Sequence, residues 1–191
     1  MSFLNKSYYQ ERWEKHSFSE EDIQSKVFEE CEFFNCTFTG CNFEKSKLIN
    51  CRFIECDLSN IILMDCQFTN VSFSKCKAIG IDWTKAQKII KLGFSECLLN
   101  YSNFRLLNLT GIKMIKCEAK EVDFIETDLS AGDFKNTDFD RSLFFNTNLA
   151  RADFSTSINY TIDFTKNTIS KTRFSLPEAI SLLNNSDIIL D

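Results

Sequence analysis

The chain holds a single histidine, His16, a single proline, Pro177, and five glycines among 191 residues. One imidazole cannot furnish a histidine-based zinc centre, and no Ser–His–Asp set can be assembled around it. There is no Cys-x-x-Cys pair and no glycine-rich phosphate loop. No apolar run approaches the roughly 20 residues needed to span a bilayer. The opening MSFLNKSYYQERWEKH is too polar for a secretory signal. These absences argue for a cytoplasmic protein without catalytic residues, metal or cofactor, and without a membrane or nucleic-acid partner. Nine cysteines then need not pair, because cytoplasmic thiols stay reduced.

What is abundant is phenylalanine, 20 residues against two Trp and four Tyr. It recurs every fifth position: Phe18, Ile23, Phe28, Phe33, Phe38, Phe43, Leu48 and Phe53 open a series that runs to Trp83. Tyr8 and Trp13 extend it backwards. A second series starts at Phe94 and ends at Phe174, interrupted only by Asn159. Calling each such position i, position i−2 is nearly always small or apolar and holds all nine cysteines. Position i−1 is often Asp or Asn.

A period of five matches neither helix nor plain strand. A helix would turn successive i residues by about 140°, and a strand would flip them from face to face. The pattern closes if each pentad is a short extended piece plus a turn, four to a square coil. Residues i and i−2 then point inward, and residues 20 apart stack, as Phe104, Phe124, Phe144 and Phe164 would. The chain has enough pentads for about eight coils and a rod about 35–40 Å long, at about 4.8 Å per coil. Asp123, Asp128, Asp133 and Asp138 resemble a metal-binding cluster on paper. Coiling puts them on four different sides, where each can bond turn amides instead.

TDLSAGDFKNTDF (127–139) and TNLARADFS (147–155) carry the A(D/N)LxX-type repeat, and over about 16–174 the chain resembles the pentapeptide-repeat proteins. The resemblance implies an all-β solenoid, the right-handed quadrilateral β-helix. The boundaries expected are an N-terminal cap (1–15), the β-helix (16–174) and a C-terminal segment (175–191).

Two departures from the repeat stand out. Trp83 and Phe94 are eleven residues apart, so 84–93 must absorb one extra residue as a bulge or small loop. This segment brings Lys85, Lys88 and Lys91, and it fits either a solvated irregularity or a partner contact. Asn159 falls at an inward position, where an amide must be hydrogen-bonded or partly exposed.

At the C-terminus, Ser175 and Glu178 read as a capping box, with Pro177 in the first turn of a helix over about 177–184. A final strand is expected at 187–191. This tail resembles that of the Qnr-type proteins and their microcin-immunity relatives. By that resemblance it builds an end-to-end homodimer through Phe174, Leu176, Pro177, Ile180, Leu183, Ile188, Ile189 and Leu190. The same resemblance implies a DNA mimic that binds DNA gyrase or topoisomerase IV, in quinolone or gyrase-toxin resistance. The alternative is an interaction scaffold for another protein partner.

Overall fold

The structure is a computed structural model and describes residues 3–185. It is a parallel β-solenoid with four faces. On the first face β1 (Ser7–Tyr9), β3 (Val27–Glu29), β5 (Lys47–Ile49), β7 (Gln67–Ser74) and β8 (Lys88–Ser95) stack in parallel. On the second, β2 (Arg12–Glu14), β4 (Glu32–Phe34) and β6 (Arg52–Ile54) lead into the later halves of β7 and β8 and then β9 (Lys113–Ile115). The third and fourth faces stack through single-residue bridges, such as Ser17 to Thr37 and Asp22 to Asn42.

Regular strands therefore stack five deep on the first face and six on the second, fewer than the eight coils expected. Beyond Ile115 the same coil continues as single-residue bridges that reach Arg173. The cause is local: Asp and Asn at i−1 bend each side into a turn. Asp123 Oδ1 accepts from Ile125 N–H at 2.8 Å, and Asp128 Oδ1 from Ser130 N–H at 2.9 Å. Asp123, Asp128, Asp133 and Asp138 sit on four faces of one coil, in four separate bridge columns.

Corners explain the scarcity of glycine. The residue at i+2 turns with positive φ, and most such corners are not glycine: Asn35 has φ 52°, Glu55 56° and Lys116 55°. Where the turn closes, as in Cys41 N–H to Phe38 O at 2.9 Å, it has the positive third-residue φ of a type II turn. A left-handed non-glycine residue costs roughly 1–2 kcal/mol. Stacking offsets that cost. Along the second face Trp13, Phe33, Phe53, Phe73 and Phe94 stack nearly flat, with centroids 4.6–5.1 Å apart.

Position i−2 is a second inner column. Its hydroxyls and thiols donate to a carbonyl of the coil before: Ser46 Oγ to Ile23 O at 2.7 Å, Thr137 Oγ1 to Met114 O at 2.6 Å. Small polar side chains are thus satisfied inside an apolar rod. Cys36, Cys56, Cys76 and Cys97 form one ladder, in which each backbone N–H meets the next sulfur at 3.4 Å. All nine cysteines are buried and free. Burial pushes Cys41 up to about 11 and Cys66 up to about 12. Thiol reagent is expected to label nine cysteines in denaturant and close to none in the native protein. Fewer than nine after denaturation would sink the free-thiol assignment.

The coil begins earlier than expected. Residues 7–14, placed in an N-terminal cap by the sequence, already pair as β1 and β2. Phe3 closes the end instead, stacked on Phe18 at 4.6 Å and edge-on to Tyr8, Trp13 and Phe28.

Candidate interaction surfaces

The extra residue of 84–93 is absorbed at one corner. Asp82 caps a 3-10 turn, Trp83–Lys85, by accepting from Thr84 N–H at 3.2 Å. Asp65 N–H meets Lys85 O at 3.0 Å, 20 residues on, where the regular coil steps 19, as from Lys45 N–H to Met64 O. Cys66 O accepts both from Gln87 N–H at 2.8 Å, the regular backward step of 21, and from Lys88 N–H at 3.3 Å, one residue longer. The surplus is thus taken up within 84–87, and the coil that contains it pairs at an offset of 21, as in Phe73 to Phe94, before the offset returns to 20 at Phe94 to Met114. Trp83 is fully buried and stacks on Phe104 at 5.6 Å and 9°. Lys85 pairs with Asp82 at 3.8 Å, whereas Lys88 and Lys91 are exposed on β8.

Charge on the lateral faces is arranged in ladders. On the second face Glu32 lies between Arg12 and Arg52, at 3.5 and 2.7 Å. Further along, Asp153 lies between Lys135 and Arg173, at 3.3 and 3.5 Å. The third face joins Lys120 to Glu118 and Asp138, at 3.2 and 3.5 Å. Hydrogen bonds from Asn100, then the Lys120 ammonium, outweigh desolvation and hold the Glu118 carboxyl below its ordinary range. Exposed pairs of this kind are each worth about 0–1 kcal/mol. They decide how the surface looks to a partner more than how stable the rod is.

The C-terminal end departs from the repeat at the last coil. Asn159, expected inward, turns out at φ 58°, and its amide donates to Asp138 Oδ1 at 2.8 Å. Tyr160 takes the interior instead, against Phe154 and Phe174. Phe164, expected under Phe144, is displaced to the surface at 39% exposure. The physical reason is that one inward Tyr fills the space two smaller steps would share. The expected capping box is not made: Ser175 Oγ donates to Ser155 O, and Glu178 Oε2 accepts from Asn159 N–H at 3.3 Å. The helix is of the 3-10 type, Glu178–Asn185.

Of the residues assigned to a dimer contact, Phe174 is half-buried under Tyr160, and Pro177 is exposed. Leu176, Ile180 and Leu183 are also exposed, Leu176 at 78%. Ile188, Ile189 and Leu190 lie outside the described residues. Tyr160 Oη is buried without a hydrogen-bond partner. Burial, then the Glu178 charge, push its phenol up to about 12. The folded value exceeds the ordinary 10.0, so the neutral phenol's contribution is complete below pH 10 and is lost between pH 10 and about 12. Tyr160→Phe is expected to stabilise the rod by about 1 kcal/mol at neutral pH and to shrink the alkaline loss in that window. Unfolding midpoints against pH for both proteins check this; an unchanged alkaline slope in the variant would refute it.

Among the described residues no group of three or more His, Cys, Asp or Glu side chains could hold a metal, and no helix is long and apolar enough to cross a membrane. The candidate surfaces are thus the corner at 84–93, the charged faces and the C-terminal end.

Comparison with known proteins adds the family. HetL, a pentapeptide repeat protein involved in heterocyst differentiation regulation in the cyanobacterium Nostoc, is similar in structure. Its TM-score is 0.67 at 13% identity, with 89% of this chain and 86% of that one covered. Full-length QnrB1, a plasmid-mediated fluoroquinolone resistance protein, aligns over 95% of this chain and 100% of its own at 17% identity and TM-score 0.40. A trypsin-treated QnrB1 variant aligns over 97% and 98% at 19% identity and TM-score 0.42. No curated protein sequence matches the chain. The model of the pentapeptide repeat region matches residues 26–104, and that of pentapeptide repeats in eight copies matches 123–158. The two matches fall on the square coils described above, and the chain belongs to the pentapeptide-repeat proteins.

Proposed function

We propose that this rod is a non-catalytic interaction scaffold of the cytoplasm that binds a protein partner through its lateral surface. The observation that supports it is the compensated charge. Duplex DNA carries one negative charge per about 1.7 Å, roughly 20 over a length like this rod's. This chain has a net charge of −5, with acids and bases paired along its faces. Such a surface is patterned for a protein partner of mixed charge, not for a site evolved to hold a polyanion.

A second reading has an observation of its own. Acids gather on two adjacent faces, with Asp22, Glu44, Asp82 and Asp123 on the fourth and Glu118, Glu121, Asp138 and Asp140 on the third. That stripe, doubled by a homodimer through the exposed Leu176, Ile180 and Leu183, would be a DNA mimic for DNA gyrase or topoisomerase IV, of the quinolone-resistance type. Purified gyrase decides between the two. The scaffold reading expects unchanged supercoiling, no protection from a quinolone and no complex on size exclusion at micromolar protein. A stoichiometric complex with inhibited supercoiling would replace it with the mimic.

A further inference from the structure

On the first face the backbone ladder is open between two coils. In the next pair of coils Leu109 N–H donates to Asp128 O at 2.8 Å, Gly111 N–H to Ser130 O at 2.8 Å, and Asp128 N–H to Leu107 O at 2.9 Å. The same register one coil earlier would join Ile89 N–H to Asn108 O, Lys91 N–H to Thr110 O, and Asn108 N–H to Gln87 O. Among the described residues none of these three bonds is made. Pairing resumes only where Gly93 of β8 meets Lys113 of β9. A groove of about 730 Å³ occupies the gap, lined by Val71, Ile89, Leu92, Leu109 and Ile112. Lys91 and Lys113 also line it, and Lys88 precedes it on the same strand. Among the described residues none of these three lysines is in an ion pair, although ion pairs are frequent elsewhere on the rod.

We propose that this groove docks an extended, acidic peptide segment of a partner protein as an added β-strand. Two features commit the occupant. The free donors of Ile89 and Lys91 lie two residues apart on one wall, and the free acceptors of Asn108 and Thr110 lie two apart on the other. An extended strand presents its own acceptors and donors to each side at that same two-residue repeat, about 6.8 Å. The unpaired lysines at the rim then select carboxylates at the outward positions, and the aliphatic lining selects apolar side chains at the inward ones. The open ladder traces to the surplus residue within 84–87: the first face is reached one residue late, and β8 follows β7 instead of the coil beyond. The inference rests on the scaffold reading and names its partner's chemistry.

The experiment uses the full chain and a blocked, fluorescent octapeptide alternating Asp with Ile. Fluorescence anisotropy is expected to show saturable binding, weakened by about tenfold when alternate peptide nitrogens are methylated. A comparable loss is expected for the Lys88→Glu, Lys91→Glu, Lys113→Glu triple variant, and for a peptide with Lys in place of Asp. Amide exchange followed by NMR gives a readout that needs no variant. The N–H groups of Ile89, Lys91 and Asn108 are expected to exchange fast in the free protein and slowly with peptide bound. Equal binding of the methylated or the lysine peptide, or no binding at all, overturns the proposal. So does slow exchange of those three amides in the free protein, which would mean a closed ladder while leaving the scaffold reading intact. Protection that rises with protein concentration alone would assign the groove to a second copy and would likewise overturn it.

Discussion

Replacing Trp83 with Ala is expected to cost about 4 kcal/mol and to split unfolding into two steps. The indole is wholly buried, lies flat on Phe104 at 5.6 Å and meets Phe68, Phe73 and Phe94 edge-on at 5.4–5.9 Å. It therefore joins the coils before the surplus residue to those after it. A repeat rod is held by nearest-neighbour interfaces, so weakening one interface uncouples the two sides. Trp13 remains as a fluorescent reporter for the N-terminal half, while circular dichroism reports the whole rod. In the variant the two urea transitions should separate; in the parent they should coincide. Trp83→Phe should cost far less, because it keeps most of the ring contact and the indole N–H has no partner to lose. A Trp83→Ala loss below about 1.5 kcal/mol with coincident transitions would show that the two blocks are joined elsewhere.

Gly132→Val is expected to destabilise by about 3 kcal/mol, the upper end for an overpacked core. Gly132 occupies a buried i−2 position, where neighbouring coils carry larger side chains, Val71, Leu92 and Ile112 before it and Ala152 after it. Here a Cβ would lie 2.5 Å from Phe134 Cε2, 2.6 Å from Cζ and 3.0 Å from Leu129 O. The Phe134 ring cannot simply retreat, since it packs on Phe154 at 4.7 Å and Phe139 at 5.8 Å. Shortening that ring should help: Phe134→Leu combined with Gly132→Val is expected to recover at least about 1 kcal/mol relative to the sum of the single changes. Additive losses in the double-mutant cycle would mean that the backbone contact at Leu129, not the ring, sets the cost.

Much of this was legible in the chain. The five-residue spacing of Phe and Leu, with Cys, Ser and Thr two places before, allows only a coil with four inward-facing sides. The same register makes Cys31, Cys36 and Cys41 core residues and not ligands. The eleven-residue step from Trp83 to Phe94 located the surplus residue. Less legible was the last coil. Asn159 and Tyr160 are neighbours, and only the competition for space beside Phe154 and Phe174 turns the Tyr in and displaces Phe164. Glu178 looked like a capping partner for Ser175 because that pairing is local. Asn159, nineteen residues away, outcompetes it once the coil brings its N–H close.

The division follows from the range of the forces. Periodicity and turn chemistry act within one pentad, so the sequence alone determined the period, the inward and outward positions, the buried thiols and the family resemblance. Contacts between coils join residues about 20 apart, and only the tertiary structure decided them. It paired Arg12, Glu32 and Arg52 into a ladder, ended the strands at Ile115, and left the edges at 87–91 and 107–110 apart. A single surplus residue costs nothing that a sequence pattern records. Its consequence appears one face later, where two backbones that should share hydrogen bonds are held too far apart to make them.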